Sequence, residues 1–204
     1  MAPHPEPQRI GLFGGTFDPP HVGHLVTAVN VRHALRLDLV VLMVAGEPWQ
    51  KVGQRVITPS AARVAMVRAA VDGVEGLEVG TLEVERGGPS YTADTLEALT
   101  QQYPGAALFT IVGDDAAAGF ETWQRFERVA ELSTLVVVDR PGVVSEIPGR
   151  HPWVHVEVPH LEVSSTDLRA RVADGRPLDY LVTDRVLDEI RASGLYRSTA
   201  QEPT

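Results

Sequence analysis

The chain has 204 residues, of which 44% are hydrophobic and 22% charged, with a formal net charge of -9. That length and apolar share fit one domain with a real core and exclude a disordered chain. The acidic balance argues against a general nucleic-acid binder, which needs a basic face for phosphates. The absence of cysteine excludes a disulfide scaffold, a thiolate nucleophile and a thiolate metal site.

Met1 to Gln8 reads as a polar, proline-rich tail and not as a charged-then-apolar leader. Arg9 to Phe13 is a short buried strand, and Gly14 to Pro20 a turn. His21 to Leu37 carries Leu25, Ala28, Val29, Val31 and Leu35 at roughly helical spacing. Leu39 to Val44 is a second strand; the apolar run it belongs to, ending at Ala45, is too short to cross a bilayer. Gly46 to Thr58 is a polar loop, and Pro59 to Val71 a helix with proline near its first turn. Leu77 to Val84 reads as a strand and its extension, stopped by Gly87-Gly88-Pro89. Thr92 to Tyr103 is a helix; Ala107 to Val112 and Thr134 to Asp139 are strands flanking a segment with Phe120, Trp123 and Phe126. Arg140 to Pro152 is a surface loop, Val154 to Val158 a last strand, and Ser165 to Asp174 and Thr183 to Ser193 closing helices.

Alternating strands and helices with continuous apolar strands predict an α/β fold: a doubly wound, mostly parallel sheet with helices on both faces. Ligands of such sheets sit beyond the carboxyl ends of the strands. The expected organisation is a disordered tail at 1–8, a single domain at 9–196 and a second tail at 197–204, in a cytoplasmic protein.

The string Gly14-Gly15-Thr16-Phe17-Asp18-Pro19-Pro20-His21-Val22-Gly23-His24 follows the first strand and opens the first helix. Two glycines permit a tight turn and close approach of a phosphate. Asp18, Pro19 and Pro20 set a turn and pre-form the helix start. His21 and His24, three apart, lie on one side of the first helical turn, where free N–H groups favour an anion. Gly23 removes a side chain, so that a flat base could lie against the helix. Taken singly, these residues also fit an ordinary turn with packed histidines, or a metal pair completed by Asp18, although helix-borne histidine ligands more often sit four apart.

The full string resembles the (H/T)xGH signature of the nucleotidylyltransferase superfamily, in the form GGTFDPPHxGH typical of nicotinate-nucleotide adenylyltransferases. The resemblance runs from about Arg9 to Tyr196 and implies a Rossmann-like fold. It implies that Gly14, Gly15, Thr16, Phe17, His21, Gly23 and His24 bind the triphosphate of ATP, with the histidines stabilising charge at the α-phosphorus. Val163-Ser164-Ser165-Thr166-Asp167-Leu168-Arg169 is similar to the second signature, ISSTxIR, which adds Ser164, Ser165, Thr166 and Arg169 to the ATP site. An N-cap with a surface arginine is the plainer reading of that stretch. Gly113-Asp114-Asp115 resembles the family's GxD element: Gly113 for close nucleotide approach and Asp115 for ribose hydroxyls, with Asp114 an unusual extra charge.

Ser90-Tyr91-Thr92 followed by Asp94-Thr95-Leu96 resembles SYTxDTL, and Trp123-Gln124 the aromatic element after GxD. By resemblance Trp123 stacks on a pyridine ring, while backbone N–H groups near Thr92 and Gln124 receive a carboxylate. Phe120 and Phe126 are expected in the core. Pro48-Trp49-Gln50-Lys51 partly matches a PPHK-like loop, which makes Lys51 a candidate catalytic phosphate ligand beside His21, His24 and Arg169; Arg140 is a weaker one.

The implied reaction is adenylyl transfer from ATP, with Mg2+, to nicotinate mononucleotide. Its products are nicotinate adenine dinucleotide and pyrophosphate, in NAD biosynthesis. No protein metal site, nucleic-acid partner or membrane partner is expected, and homo-oligomerisation stays open. The competing readings are nicotinamide mononucleotide or another phosphate acceptor, a catalytically inactive nucleotide-binding regulator, and a fragment of a class I aminoacyl-tRNA synthetase. Against the last, the chain is short, acidic and without a lysine-rich KMSKS-type loop.

Overall fold

The computed structural model describes residues 8–48, 56–139, 141–142, 144–147 and 149–197. Residues 1–7 and 198–204 of the expected tails lie outside these, as do the candidates Lys51 and Arg140. The elements in chain order are β1 (Arg9–Gly15), α1 (Val22–Ala34), β2 (Leu39–Val44), α2 (Ser60–Val71), β3 (Leu77–Gly80), α3 (Leu82–Arg86), α4 (Thr92–Gln102), β4 (Ala107–Gly113) and α5 (Asp114–Ala118). A single 3-10 turn at Phe120–Thr122 follows. The chain then forms α6 (Phe126–Leu132), β5 (Thr134–Asp139), β6 (Val154–Glu157), α7 (Ser165–Asp174) and α8 (Asp184–Ser193).

The six strands form one sheet in the order β3-β2-β1-β4-β5-β6, and every pairing is parallel. Alternation along β2 shows why its unbroken apolar run is needed. Val40, Leu42 and Val44 face a core shared with Ala28 and Val31 of α1 and Val64, Val67 and Val71 of α2. Leu39, Val41 and Met43 face the opposite core, with Ala93, Leu96 and Leu99 of α4 and Val129 of α6. Both faces of the strand are therefore covered by helices, and each fully buried aliphatic side chain contributes about 1.5–3 kcal/mol. A third cluster joins Met66 and Ala70 of α2, Leu168 of α7, and Val186, Leu187 and Ile190 of α8.

Three predicted boundaries move by more than one residue; one is the end of α1, which stops at Ala34 and not at Leu37. Gly14 and Gly15 remain in β1, paired with Met43 and Val44, so the turn begins at Thr16. β3 ends at Gly80, and the expected strand extension is the short helix α3, whose Glu83 turns inward and is 6% exposed. Helix ends follow local rules: Ser164 and Thr183 accept from the N–H groups of Asp167 and Val186, and Gly175 and Gly194 close α7 and α8 in the left-handed conformation. Among the described residues no helix is long and apolar enough to cross a membrane.

Candidate active site

Strand order reverses at β1: β2 and β3 lie to one side of it, and β4 to β6 to the other. At such a reversal the connections leave in opposite directions and open a crevice at the carboxyl edge. A cleft of about 300 Å³ lies there. Gly14, Gly15 and Thr16 line one wall and Gly113 another, while Thr92, Trp123 and Gln124 bound the far end. Neither Gly14 nor Gly113 has any atom within 4 Å of where a Cβ would stand, so a side chain there would enter the cleft.

Gly15, on the cleft wall, also serves a second close approach. Phe17 adopts φ 49°, and its ring folds beneath Gly15, where a Cβ would stand 2.7 Å from it. That left-handed backbone costs about 1–2 kcal/mol, offset by burial of the ring, 2% exposed, in the main core. Phe17 therefore supports the site from below; its side chain is not available to a ligand.

The turn after Phe17 is held from three distant places. The buried Asp18 carboxylate accepts from the Tyr196 hydroxyl at 2.7 Å and from the Thr58 N–H at 3.4 Å. The Asp18 carbonyl accepts from Arg169 Nη1 at 2.7 Å, and the Pro19 carbonyl from the Ser165 hydroxyl at 2.8 Å. Arg169 Nη2 also donates to Thr166 Oγ1 at 3.2 Å. The two signature segments are thus brought together, with Arg169 clamping the turn that carries the histidines. Ser164 uses its hydroxyl as the α7 cap.

His21 is the N-cap of α1, with φ -145° and ψ 169°. Its backbone N–H donates to His24 Nδ1 at 3.2 Å. A neutral imidazole that accepts at Nδ1 carries its proton on Nε2. The two rings stack, centroids 3.7 Å apart and 26° from parallel, and His24 rests edge-on against Phe17. Burial pushes His21 down to about 4, so this ring is neutral at pH 7. Among the described residues, His21 Nδ1 is buried with no hydrogen-bond partner. His21 therefore offers no fixed positive charge at pH 7. Gly23 faces Val163 and the His21 ring, at 3.0 and 3.1 Å from a would-be Cβ, so a side chain there would be tight against both.

At the far end, Trp123 lines the cleft and packs on Phe120, itself 2% exposed and in edge contact with Phe126. Asp115 is exposed and does not line the cleft; its N–H donates to the Asp114 carboxylate at 2.9 Å. Lys51 lies outside the described residues and Arg140 likewise. Among the described residues, no group of three or more histidines, aspartates and glutamates is placed to hold a metal ion.

Three structural residues escape sequence reasoning. Arg63 of α2 is 1% exposed and donates to the carbonyls of Thr58, Thr16, Ala45 and Gly46 at 2.7–3.1 Å. It joins the exits of β1 and β2 behind the cleft; a charge amid the apolar residues of α2 is its only signal. Tyr196 reaches Asp18 across 178 residues, which no local pattern reveals. Arg125, at φ 59°, grips Asp94 and Glu97 of α4 and ties the Trp123-Gln124 segment to that helix.

Residues 12–171 match the cytidylyltransferase-like family. The chain is 42% identical over 201 residues to a protein of Desulfitobacterium hafniense (strain Y51) named "Probable nicotinate-nucleotide adenylyltransferase", covering 94% of this chain and 97% of the relative. It is 44% identical over 197 residues to a protein of the same name from Roseiflexus sp. (strain RS-1), covering 92% and 98%. The fold is similar to that of Plasmodium falciparum nicotinic acid mononucleotide adenylyltransferase solved with NaAD, with a TM-score of 0.74 at 15% identity over 93% of this chain and 97% of the other.

Proposed function

This chain belongs to the nicotinate-nucleotide adenylyltransferase family of cytidylyltransferase-like proteins, and from that premise we propose that it transfers the adenylyl group of ATP to nicotinate mononucleotide. A phosphate oxygen of the mononucleotide forms a bond to the α-phosphorus as the bond to the bridging oxygen breaks. Pyrophosphate leaves, and nicotinate adenine dinucleotide remains. The attacking phosphate is already ionised at neutral pH, so no general base is needed. Catalysis rests on alignment of the two substrates and on donors aimed at the developing charge.

The observation that carries this reading is the stacked His21–His24 pair at the start of α1, beside a cleft at the sheet's reversal point. In this reading His24 and the positive end of the α1 dipole face the triphosphate oxygens. Arg169 and Ser165 keep the turn beneath them in position. Gly14, Gly15 and Gly113 leave room for the nucleotide, and Trp123 with the Thr92 and Gln124 backbone receives the pyridine and its carboxylate. N–H donors there favour the acid, because an amide would set donor against donor. Mg2+ enters with the triphosphate as part of the substrate, held by phosphate oxygens and water, which suits a cation that keeps most of its hydration.

Pyrophosphate release measured with nicotinate and with nicotinamide mononucleotide tests the proposal. Faster turnover of the acid, abolished by EDTA and restored by Mg2+, is expected. A clear preference for the amide overturns the acceptor assignment, and ATP binding without pyrophosphate release overturns the reaction.

A further inference from the structure

The GGPSYT segment and the loop after β2 meet at a buried carboxylate that the reaction above does not use. Glu83 of α3 is 6% exposed and borders the cleft. Thr95 of α4, itself fully buried, donates its hydroxyl to Glu83 Oε1 at 2.8 Å, and the Ser90 hydroxyl is close enough to the same carboxylate to hold its pKa down. Ser90 Oγ in turn accepts the Gly46 N–H at 2.8 Å, and the Ser90 N–H donates to the Glu47 carbonyl at 3.1 Å. The Gly46 carbonyl is held by Arg63. A continuous network thus runs from α2 through the β2 exit loop and Ser90 to Glu83 and α4. Its members flank Tyr91 and Thr92, which line the cleft at the start of α4.

We infer that Glu83 is a positioning residue for the acceptor end of the cleft, locking Ser90-Tyr91-Thr92 to the β2 exit loop so that their backbone donors are aimed before the mononucleotide arrives. This rests on the acceptor reading given above. A carboxylate suits the position because it accepts only: both hydroxyls can point their single protons at it, leaving the Ser90 oxygen to receive Gly46. Burial raises the Glu83 pKa, and the two hydroxyl donors oppose that rise. A glutamine of the same shape breaks this scheme. One hydroxyl must then face an NH2 group and turn its proton elsewhere. Glu83 thereby acts on substrate through the segment that it orders, and it is distinct from the groups facing the triphosphate.

The test compares wild type, Glu83→Gln and Thr95→Val. Amide hydrogen exchange of the unliganded proteins reads the network directly, and exchange at Gly46 and at residues 90–92 is expected to rise about tenfold in Glu83→Gln, the loss of one hydrogen bond's worth of protection. In steady state, the acceptor KM is expected to rise about tenfold in Glu83→Gln and about threefold in Thr95→Val, with kcat and the ATP KM within about twofold of wild type. These constants are read with whichever of the nicotinate and nicotinamide mononucleotides the wild type turns over faster. A wild-type preference for the amide would defeat the acceptor reading alone. Unchanged exchange at Gly46 overturns the Glu83 inference, and so does an unmoved acceptor KM. Parallel loss of kcat and both KM values, with a lowered thermal midpoint, would mark a purely structural role and overturn it too.

Discussion

Replacing Arg63 with lysine is expected to destabilise the protein by about 2–4 kcal/mol, a magnitude that follows from where the four carbonyls stand. Nη1 alone serves Thr16 at 3.0 Å and Ala45 at 2.7 Å, while Nε serves Thr58 at 2.8 Å and Nη2 serves Gly46 at 3.1 Å. A lysine ammonium placed where Nη1 stands keeps the first two bonds, since its three protons radiate from one atom. Thr58 and Gly46 are then lost. Hydrogen bonds to a charged donor are each worth about 1.5–3 kcal/mol, and these two are only partly buried, so water recovers part of the loss. For a domain of this size the expected fall in thermal midpoint is about 4–16 °C. Urea unfolding at pH 7 gives the free energy, and a thermal scan the midpoint. Arg63→Met, which strands all four carbonyls, should be worse, at about 3–5 kcal/mol. A lysine variant within about 1 kcal/mol of wild type, or a methionine variant more stable than the lysine one, would refute the argument that the planar fork is what this position requires.

Three further outcomes follow from the site. His24→Ala should lower turnover by about two to three powers of ten while circular dichroism stays native, because a donor at the reacting phosphate is lost; near-normal pyrophosphate release would sink the catalytic assignment. His21 is held at about 4 when folded against its ordinary 6.5. The unfolded chain therefore binds the extra proton between those values, and stability present above about pH 6.5 is lost as pH falls toward 4, by at most about 3 kcal/mol. Urea midpoints across that range should fall more steeply for wild type than for His21→Asn, and parallel curves would contradict the assigned shift. Tyr196→Phe removes one donor from the buried Asp18 carboxylate. It should reduce unfolding free energy by about 1.5–3 kcal/mol and slow turnover several-fold, and a variant indistinguishable from wild type in both would show that the contact does not hold the turn.

The elements most legible in the sequence are those whose signals are local. The apolar run of β2, the Ser164 and Thr183 caps and the closing glycines of α7 and α8 all appear where their residue types place them. Leu77 to Val84 was less legible because its apolar alternation continues past Gly80, where Glu83 turns inward to meet Thr95 and Ser90. Its partners lie in another helix and another loop, so a strand period and a helical turn compete on equal local terms. Gly15 admits the Phe17 ring and Gly23 lies close to Val163, approaches that the contiguous string does not reveal because they depend on how the chain folds back.

By itself, the amino-acid order determined the winding of strands and helices and the family, since each depends on periodicity or on a contiguous string of residues. The ionisation of His21, the engagement of Arg169 with the Asp18 carbonyl and the burial of Arg63 and Glu83 were decided only by the assembled tertiary structure. Those properties arise from desolvation and from hydrogen bonds between segments as much as 178 residues apart. A charged side chain is indifferent to such surroundings until the fold withdraws water from it.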